Sequence, residues 1–441
     1  MAITEPDVLF LPRPVMLAVE RGEGVELVAR DGRRVLDMAG GAIVANVGYG
    51  RAEVAEAAAR SLERIGYVVP PFATPEREAL ISRLRERWLP DGLRHVLLVS
   101  GGSESTDSAI RIARLHHASA GRPERSKVVS LSPSYHGMTV AAISASGHPK
   151  RQAGFGPLLI DWPKVSLQLD PDRPALGYDQ GDARAHSAAL DEVIERAGPE
   201  TVAAFIAEPV GGAATGAATP PPGYWAAVAE VCRRHDVLLI ADEVMGGFGR
   251  TGTRFAVEAE GVVPDILIGG KGLGGGYAPL GGVYASDHVV DPIAASGLDV
   301  MFFTFSSSNV ACAVGDAVLD ILERESLVAA AAARGVHLAR RLHEAFDDHP
   351  HVAQVRGRGL LQGIELVRDR ETLTPFDADQ QVAMEVVLAA LRRDVWVYPA
   401  GSGRPQDCIL LGPAFVVTDE QIDHGVGVLA EAVDEVTART A

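Results

Sequence analysis

The chain has 441 residues, of which 47% are apolar and 22% charged. That is close to the average for soluble globular proteins and enough for a large core, which excludes wholesale disorder and collagen-like repetition. The 41 basic side chains face 58 acidic ones, a net charge of −17, so nothing draws the chain electrostatically to nucleic acid or to an anionic membrane surface. Cys232, Cys312 and Cys408 lack the close spacings of zinc or redox motifs and point to a reducing compartment. The opening run MAITEPDVLF carries Glu5 and Asp7 where a signal peptide needs positive charge, and no stretch approaches the ~18 apolar residues of a membrane helix. The expectation is a soluble, cytoplasmic protein.

In chain order, ELVARDGRRVLDM (26–38) reads as a strand pair. After the breaker Gly48-Tyr49-Gly50, the spacing of Val54, Ala58, Leu62 and Ile65 predicts a helix over 51–66. From there to about residue 320, short runs rich in Val, Ile and Leu alternate with helical patterns, at 95–100, 127–132, 202–207, 237–241 and 265–270. Runs without polar alternation suit strands buried on both faces of a mostly parallel α/β sheet. Residues 161–185, marked by Pro163, Pro171, Pro174, Gly177 and Gly181, read as a long surface excursion. Then the texture changes: an alanine-rich helical segment (319–347), an apolar run (355–367), a further helix (378–393) and a short strand (395–398). These predict a smaller α+β lobe that the N-terminal strand pair joins. The expected division is a large cofactor-binding domain over 51–320, with 1–50 and 321–441 together forming a small domain.

Three local features carry chemistry. Ser100-Gly101-Gly102-Ser103-Glu104-Ser105 follows a predicted strand and opens a predicted helix, where unpaired N–H groups and the helix dipole favour a phosphate. An ordinary strand-to-helix turn capped by serine explains the same letters. Asp242 closes a predicted strand at the sheet's carboxyl edge, where open α/β sheets place ligands; a cap or an ion pair is the plainer use of such a carboxylate. Lys271, one of only four lysines, lies in the glycine-rich apolar run ILIGGKGLGGGYAPLGG, whereas Lys127, Lys150 and Lys164 sit in polar, charged or proline-marked surroundings. A desolvated lysine has a depressed pKa and becomes an amine nucleophile for a carbonyl. Together the three suit pyridoxal 5′-phosphate, which needs a lysine for its aldehyde, an acid for its ring nitrogen and an anchor for its phosphate.

At these residues the chain strongly resembles the class III (omega) aminotransferases, which have the aspartate aminotransferase-like fold (fold type I) of pyridoxal phosphate enzymes. The resemblance runs through DGRRVLD (31–37), NVGYG (46–50), SGGSES (100–105), SYHG (134–137), AEPV (207–210), the block from Leu238 to Gly282, Thr304-Phe305, and VRGRGLLQGIEL (355–366). It implies that Lys271 binds the cofactor covalently and shuttles the substrate proton, and that Asp242 pairs with the ring nitrogen. It also implies that Tyr135 and Val244 flank the ring, that Gly102 and Ser103 hold the phosphate, and that Glu208 is an acid close to Asp242. Thr304 would complete the phosphate site of a second copy, making a homodimer the minimal unit. Tyr135 and Val244 are also residue types that routinely fill cores.

Departures narrow the substrate. Relatives acting on ornithine or γ-aminobutyrate pair a glutamate with a C-terminal arginine; Ala213 and Leu410 occupy those positions, and Met245 stands where a glutamine is usual. The pattern resembles the amine:pyruvate branch, with an amine donor and a keto acid acceptor. Arg404, in the AGSGRPQD loop, matches the mobile arginine that holds the acceptor's carboxylate there, although a solvated loop arginine reads the same way. Ile43, Tyr67 and Phe72 fall in segments that line the substrate side in relatives. Ser307-Ser308-Asn309 and Phe303 depart from the relatives' pattern beside the partner's site. Decarboxylases, epimerases and aminomutases of the same fold use the same lysine and aspartate, and motifs alone hardly separate them. A purely binding role leaves Lys271 and Asp242 without a purpose, and SGGSES lacks a Walker lysine and is not a dinucleotide fingerprint.

Overall fold

The computed structural model describes residues 16–167, 182–402 and 407–440. Three short antiparallel strands come first: β1 (Val19–Glu23), β2 (Glu26–Ala29) and β3 (Arg34–Asp37). The central sheet follows, built from β4 (Leu93–Val99), β5 (Lys127–Ser132), β6 (Lys164–Ser166), β7 (Val202–Ala207), β8 (Leu238–Asp242), β9 (Ile266–Gly269) and β10 (Gly281–Ser286). Its order is β4-β10-β9-β8-β7-β5-β6, and only β10 runs against the rest. Every residue of β7, β8 and β9 is buried, which is why these runs show no polar alternation.

The remaining strands are β11 (Val352–Arg358), β12 (Leu361–Leu366), β13 (Val395–Trp396), β14 (Tyr398–Ala400) and β15 (Cys408–Leu411). β11 and β12 form a hairpin whose turn passes through Gly359 in the left-handed region, and the sheet order is β11-β12-β15-β14. The N-terminal strands close a separate sheet, β1-β2-β3-β13, through parallel pairing of β3 with β13. The predicted single strand 395–398 is therefore two: it leaves one sheet after Trp396 and enters the other at Tyr398.

Two helix expectations change for local reasons. The segment 319–347 is broken because Ser326 takes a left-handed φ of 52°, which ends one helix (Asn309–Arg324) and caps the next (Leu327–Phe346). Gln381, with φ 47°, likewise delays the helix expected from 378 until Val382, after a single 3₁₀ turn. The helix expected over 51–66 spans Ala52–Arg64 and packs along Asn309–Arg324.

Arg250 ties the N-terminal segment, the hairpin and the C-terminal region to the loop after β8. Fully buried, it donates to Asn46 Oδ1 (2.8 Å), Pro413 O (2.5 Å) and Leu360 O (3.4 Å), with its guanidinium over the Phe415 ring. The arrangement fixes the glycine-rich loop that leads out of the central sheet's carboxyl edge.

Candidate active site

The parallel strands deliver their chemistry at one edge. Asp242 is the last residue of β8, Glu208 follows β7 directly, Lys271 lies just past β9, and Tyr135 and His136 follow β5. The 18-residue helix Gly102–Ser119 begins just after β4 and points its N-terminus at the same edge. This is the crevice outside the carboxyl ends of the strands in which open α/β sheets bind ligands. A cavity of about 170 Å³ there is lined by Gly102, Ser103, Tyr135, Glu208, Asp242, Val244 and Lys271, together with His136, Gly137 and Met245. Seven of the residues expected from the sequence thus meet in one pocket.

Close backbone approach needs the glycines. A Cβ on Gly102 would lie 2.8 Å from Val244 Cγ1, and one on Gly137, whose φ is 135°, would lie 2.7 Å from Ser103 Oγ. The Met138 N–H donates to Ser103 Oγ (3.1 Å), so the serine hydroxyl keeps its own proton to offer. Ser105 Oγ donates to Gly269 O (3.0 Å) and Thr106 Oγ1 to His136 O (2.7 Å), clamping the helix's first turn against the ends of β9 and the loop after β5. Gly101 caps the helix without a side-chain bond, which leaves the first-turn N–H groups available to an anion.

Asp242 is nearly fully buried and committed on both oxygens: Oδ1 accepts from the Val244 N–H (3.0 Å), and Oδ2 lies 2.7 Å from His136 Nδ1. A carboxylate can only accept, so the Nδ1 tautomer of His136 donates to it. Among the described residues, His136 Nε2 has no partner. Sequence reading left His136 unassigned; the only signal was its place between Tyr135 and Gly137. Glu208 accepts from the Tyr135 N–H (3.1 Å) and the Gly212 N–H (2.9 Å), and burial pushes its carboxyl well above the usual range despite nearby His136.

Lys271 opens a single 3₁₀ turn with φ 37°, a left-handed conformation uncommon outside glycine. Burial lowers its amine to about 8, against the opposing pull of Glu208 and Asp242. Among the described residues its Nζ has no hydrogen-bond or ion-pair partner. Burial alone does not single it out: Lys164, expected to be solvated, is also lowered by burial to about 8, but its Nζ donates to Ser144 O (2.7 Å). An uncommitted amine beside two carboxyl groups is what distinguishes Lys271. Unpaired amine, strand-end carboxylate and open helix N-terminus are the donor set that pyridoxal phosphate requires, and the residues fit it.

The other expected residues lie apart from this pocket. Thr304 is exposed, and its carbonyl accepts from Tyr67 Oη (3.1 Å). Tyr67 and Phe72 are 48% and 61% exposed, and Tyr67 meets Phe305 edge to face. Ile43 is buried against Gly412, in a cluster with Leu410 and Met245. Arg404 lies outside the described residues.

Residues 12–433 match the family model of class III aminotransferases. The putrescine–pyruvate aminotransferase of Pseudomonas aeruginosa is 32% identical over 425 residues, covering 95% of this chain and 91% of that protein. An (S)-enantioselective omega-transaminase from Thermomicrobium roseum superposes with a TM-score of 0.88 at 39% identity, covering 95% and 93% of the two chains. The omega transaminase of Pseudomonas jessenii in complex with PMP gives 0.88 at 30% identity, with 96% and 93% covered. The chain belongs to the class III aminotransferases, and it is a pyridoxal 5′-phosphate-dependent transaminase of fold type I.

Proposed function

We propose that this enzyme moves the amino group of an amine or ω-amino donor with an uncharged body to a keto acid such as pyruvate, in a ping-pong cycle. The observation that carries the reading is what backs the pocket: Met245 lines it with Lys271 and packs on an apolar cluster that holds Leu410 and Ile43, and Ala213 lies buried where relatives place a carboxylate. A donor whose far end is charged would be desolvated there without a partner, at a cost of several kcal/mol.

In this reading Lys271 would hold the cofactor covalently and its amine would carry the proton from the donor's Cα. Asp242, oriented by His136, would pair with the ring nitrogen. Tyr135 and Val244 would confine the ring, and Gly102 and Ser103 would hold the phosphate at the helix N-terminus. Glu208 fixes the Tyr135 backbone beside them. Pyridoxal phosphate, when bound, supplies the electron sink for charge developing at Cα. Arg404 is assigned, from its place in the sequence, to the acceptor's carboxylate, and Ile43, Tyr67 and Phe72 to the substrate side.

The same reading makes the working unit a homodimer. Thr304 is exposed and away from its own chain's pocket, flanked by exposed Met301, Phe302 and Phe305, which suits a segment that completes a second copy's phosphate site. Three free, buried cysteines support a cytoplasmic setting, and among the described residues no helix is long and apolar enough to cross a membrane. A donor screen against pyruvate tests the substrate assignment, using aryl-alkyl amines, diamines, ω-amino acids and amino sugars. Preference for neutral-bodied amines supports it; strong preference for ornithine or γ-aminobutyrate contradicts it. Light scattering at assay concentration should find a dimer, and a fully active monomer would refute the shared site.

A further inference from the structure

Arg77 lies in the first turn of the helix Pro75–Arg83 and is only 5% exposed. Its guanidinium is given over to backbone carbonyls: Nη1 and Nη2 donate to Val68 O (2.6 Å), Val69 O (3.0 Å), Pro70 O (3.2 Å) and Phe72 O, and Nε donates to Ser307 O (2.6 Å). Its neighbour Glu76 pairs with Arg64 instead (3.2 Å). The buried charge is therefore balanced by five carbonyl dipoles, which use the full donor capacity of an arginine.

The contacts join two loops that lie 230 positions apart in the chain. Further ties run between the same loops: Tyr67 Oη donates to Thr304 O (3.1 Å), the Tyr67 ring meets Phe305 edge to face, and Thr74 Oγ1 donates to Asn309 Oδ1 (3.2 Å). Residues 67–74 and 304–309 thus form one unit with Arg77 at its centre. Carbonyls of a surface loop ordinarily face water. Here four carbonyls of one short loop turn inward on a single guanidinium, which fixes the loop from within and leaves Tyr67 and Phe72 exposed on its outer side. None of these residues lines the cavity around Lys271 in the same chain.

We propose that Arg77 is a positioning residue for the amino transfer and that it acts across the dimer: by holding the two loops as one unit, it sets where that unit meets the pocket of the second copy. This rests on the shared-site reading above and deepens it, because the loop carrying Thr304 and the loop carrying Tyr67 and Phe72 are then placed together by a single side chain. Removing the guanidinium leaves five carbonyls without their buried donor. The two loops then lose their common anchor, and the pocket that suffers is the one built on the other chain's Lys271. A residue that only stabilised its own chain would impair the Lys271 of that same chain.

Mixed dimers separate the two cases. Chains carrying Arg77→Gln and chains carrying Lys271→Ala are co-expressed with different affinity tags, and the mixed species is purified through both. The Arg77→Gln homodimer should lose roughly ten- to a hundredfold in transfer rate, as for misplacement of a group that lines a reacting site, and Arg77→Lys, with one ammonium in place of the fork, should fall between it and wild type. In the mixed dimer one pocket combines the Lys271 of the Arg77→Gln chain with intact loops from the Lys271→Ala chain. It should regain about half of the wild-type activity per dimer, and fluorescence titration of the apoprotein should find a single tight site for pyridoxal phosphate. A mixed dimer no better than the Arg77→Gln homodimer overturns the proposal, as does wild-type activity in Arg77→Gln itself. If Arg77→Gln does not accumulate, Arg77→Lys takes its place in the same pairing. A second pairing, Lys271→Ala with Thr304→Glu, tests the shared site without touching Arg77. Recovery there but not with the Arg77 variant removes this inference alone; recovery in neither pairing removes the shared-site reading as well.

Discussion

His136 Nδ1 lies 2.7 Å from Oδ2 of Asp242, a residue 106 positions further along the chain, and both side chains are almost completely buried. The contact joins the loop after β5 to the end of β8, two strands that are separated in the sheet by β7. With the Val244 N–H on the other oxygen, it leaves the carboxylate a single orientation.

His136 is therefore a positioning residue, and removing its ring should loosen Asp242 without removing the acid. For His136→Phe the expected result is a fall in the donor half-reaction rate of roughly ten- to a hundredfold, as for loss of a group that orients a catalytic partner. His136→Asn, whose amide can still donate, should recover part of that rate. Single-turnover kinetics with cofactor absorbance make the comparison, and equal loss in both variants would mean that the ring only fills space.

Gly102→Ala tests the phosphate end of the site. Its Cβ would press on Val244 Cγ1 at 2.8 Å, so either the helix N-terminus or the valine must move. Cofactor affinity should fall by about tenfold, while the fold, most of whose core lies elsewhere, stays intact. Fluorescence titration of the apoprotein with pyridoxal phosphate reads this directly; unaltered affinity would detach Gly102 from the cofactor.

Glu243, next to Asp242, is fully buried, accepts from the Val257 N–H (2.7 Å) through Oε1, and has no partner for Oε2 among the described residues. Burial raises its pKa from 4.5 to about 8. A carboxyl raised on folding binds more protons in the native state, so its contribution to stability is full below about pH 4.5 and is lost as pH climbs to about 8. Glu243→Gln keeps an acceptor for Val257 and removes the titration. The Tm advantage of Glu243→Gln over wild type should grow from pH 4.5 to 8 and then level off. Calorimetry showing a pH-independent difference would contradict a buried, titrating Glu243.

Five strands of the central sheet were legible in the sequence, β7, β8 and β9 most plainly because they are buried on both faces and lack polar alternation; β10, a glycine-led run, and the three-residue edge strand β6, inside the expected excursion 161–185, were not. Lys271 and Asp242 could be read because each is conspicuous in its own neighbourhood: a lysine among glycines, an aspartate at the end of an apolar run. His136 could not, since its meaning lies in a contact with Asp242 that no local period encodes. The breaks at Ser326 and Gln381 were hidden for another reason: neither residue type requires a left-handed φ. Lys164 shows the limit of reading burial from neighbours: it is buried by the fold, and its Nζ reaches a carbonyl twenty residues back, Ser144 O.

The central claim is that one amine, on Lys271, holds the cofactor and performs the transfer. Borohydride reduction of the purified holoenzyme followed by peptide mass spectrometry tests it most directly, with Lys271→Ala assayed in parallel. The account predicts a reduced pyridoxyl adduct on the peptide containing Lys271, loss of that adduct on prior exposure to an amine donor, and no amino transfer to pyruvate by Lys271→Ala. An adduct on Lys127, Lys150 or Lys164, or sustained transfer by Lys271→Ala, would contradict it.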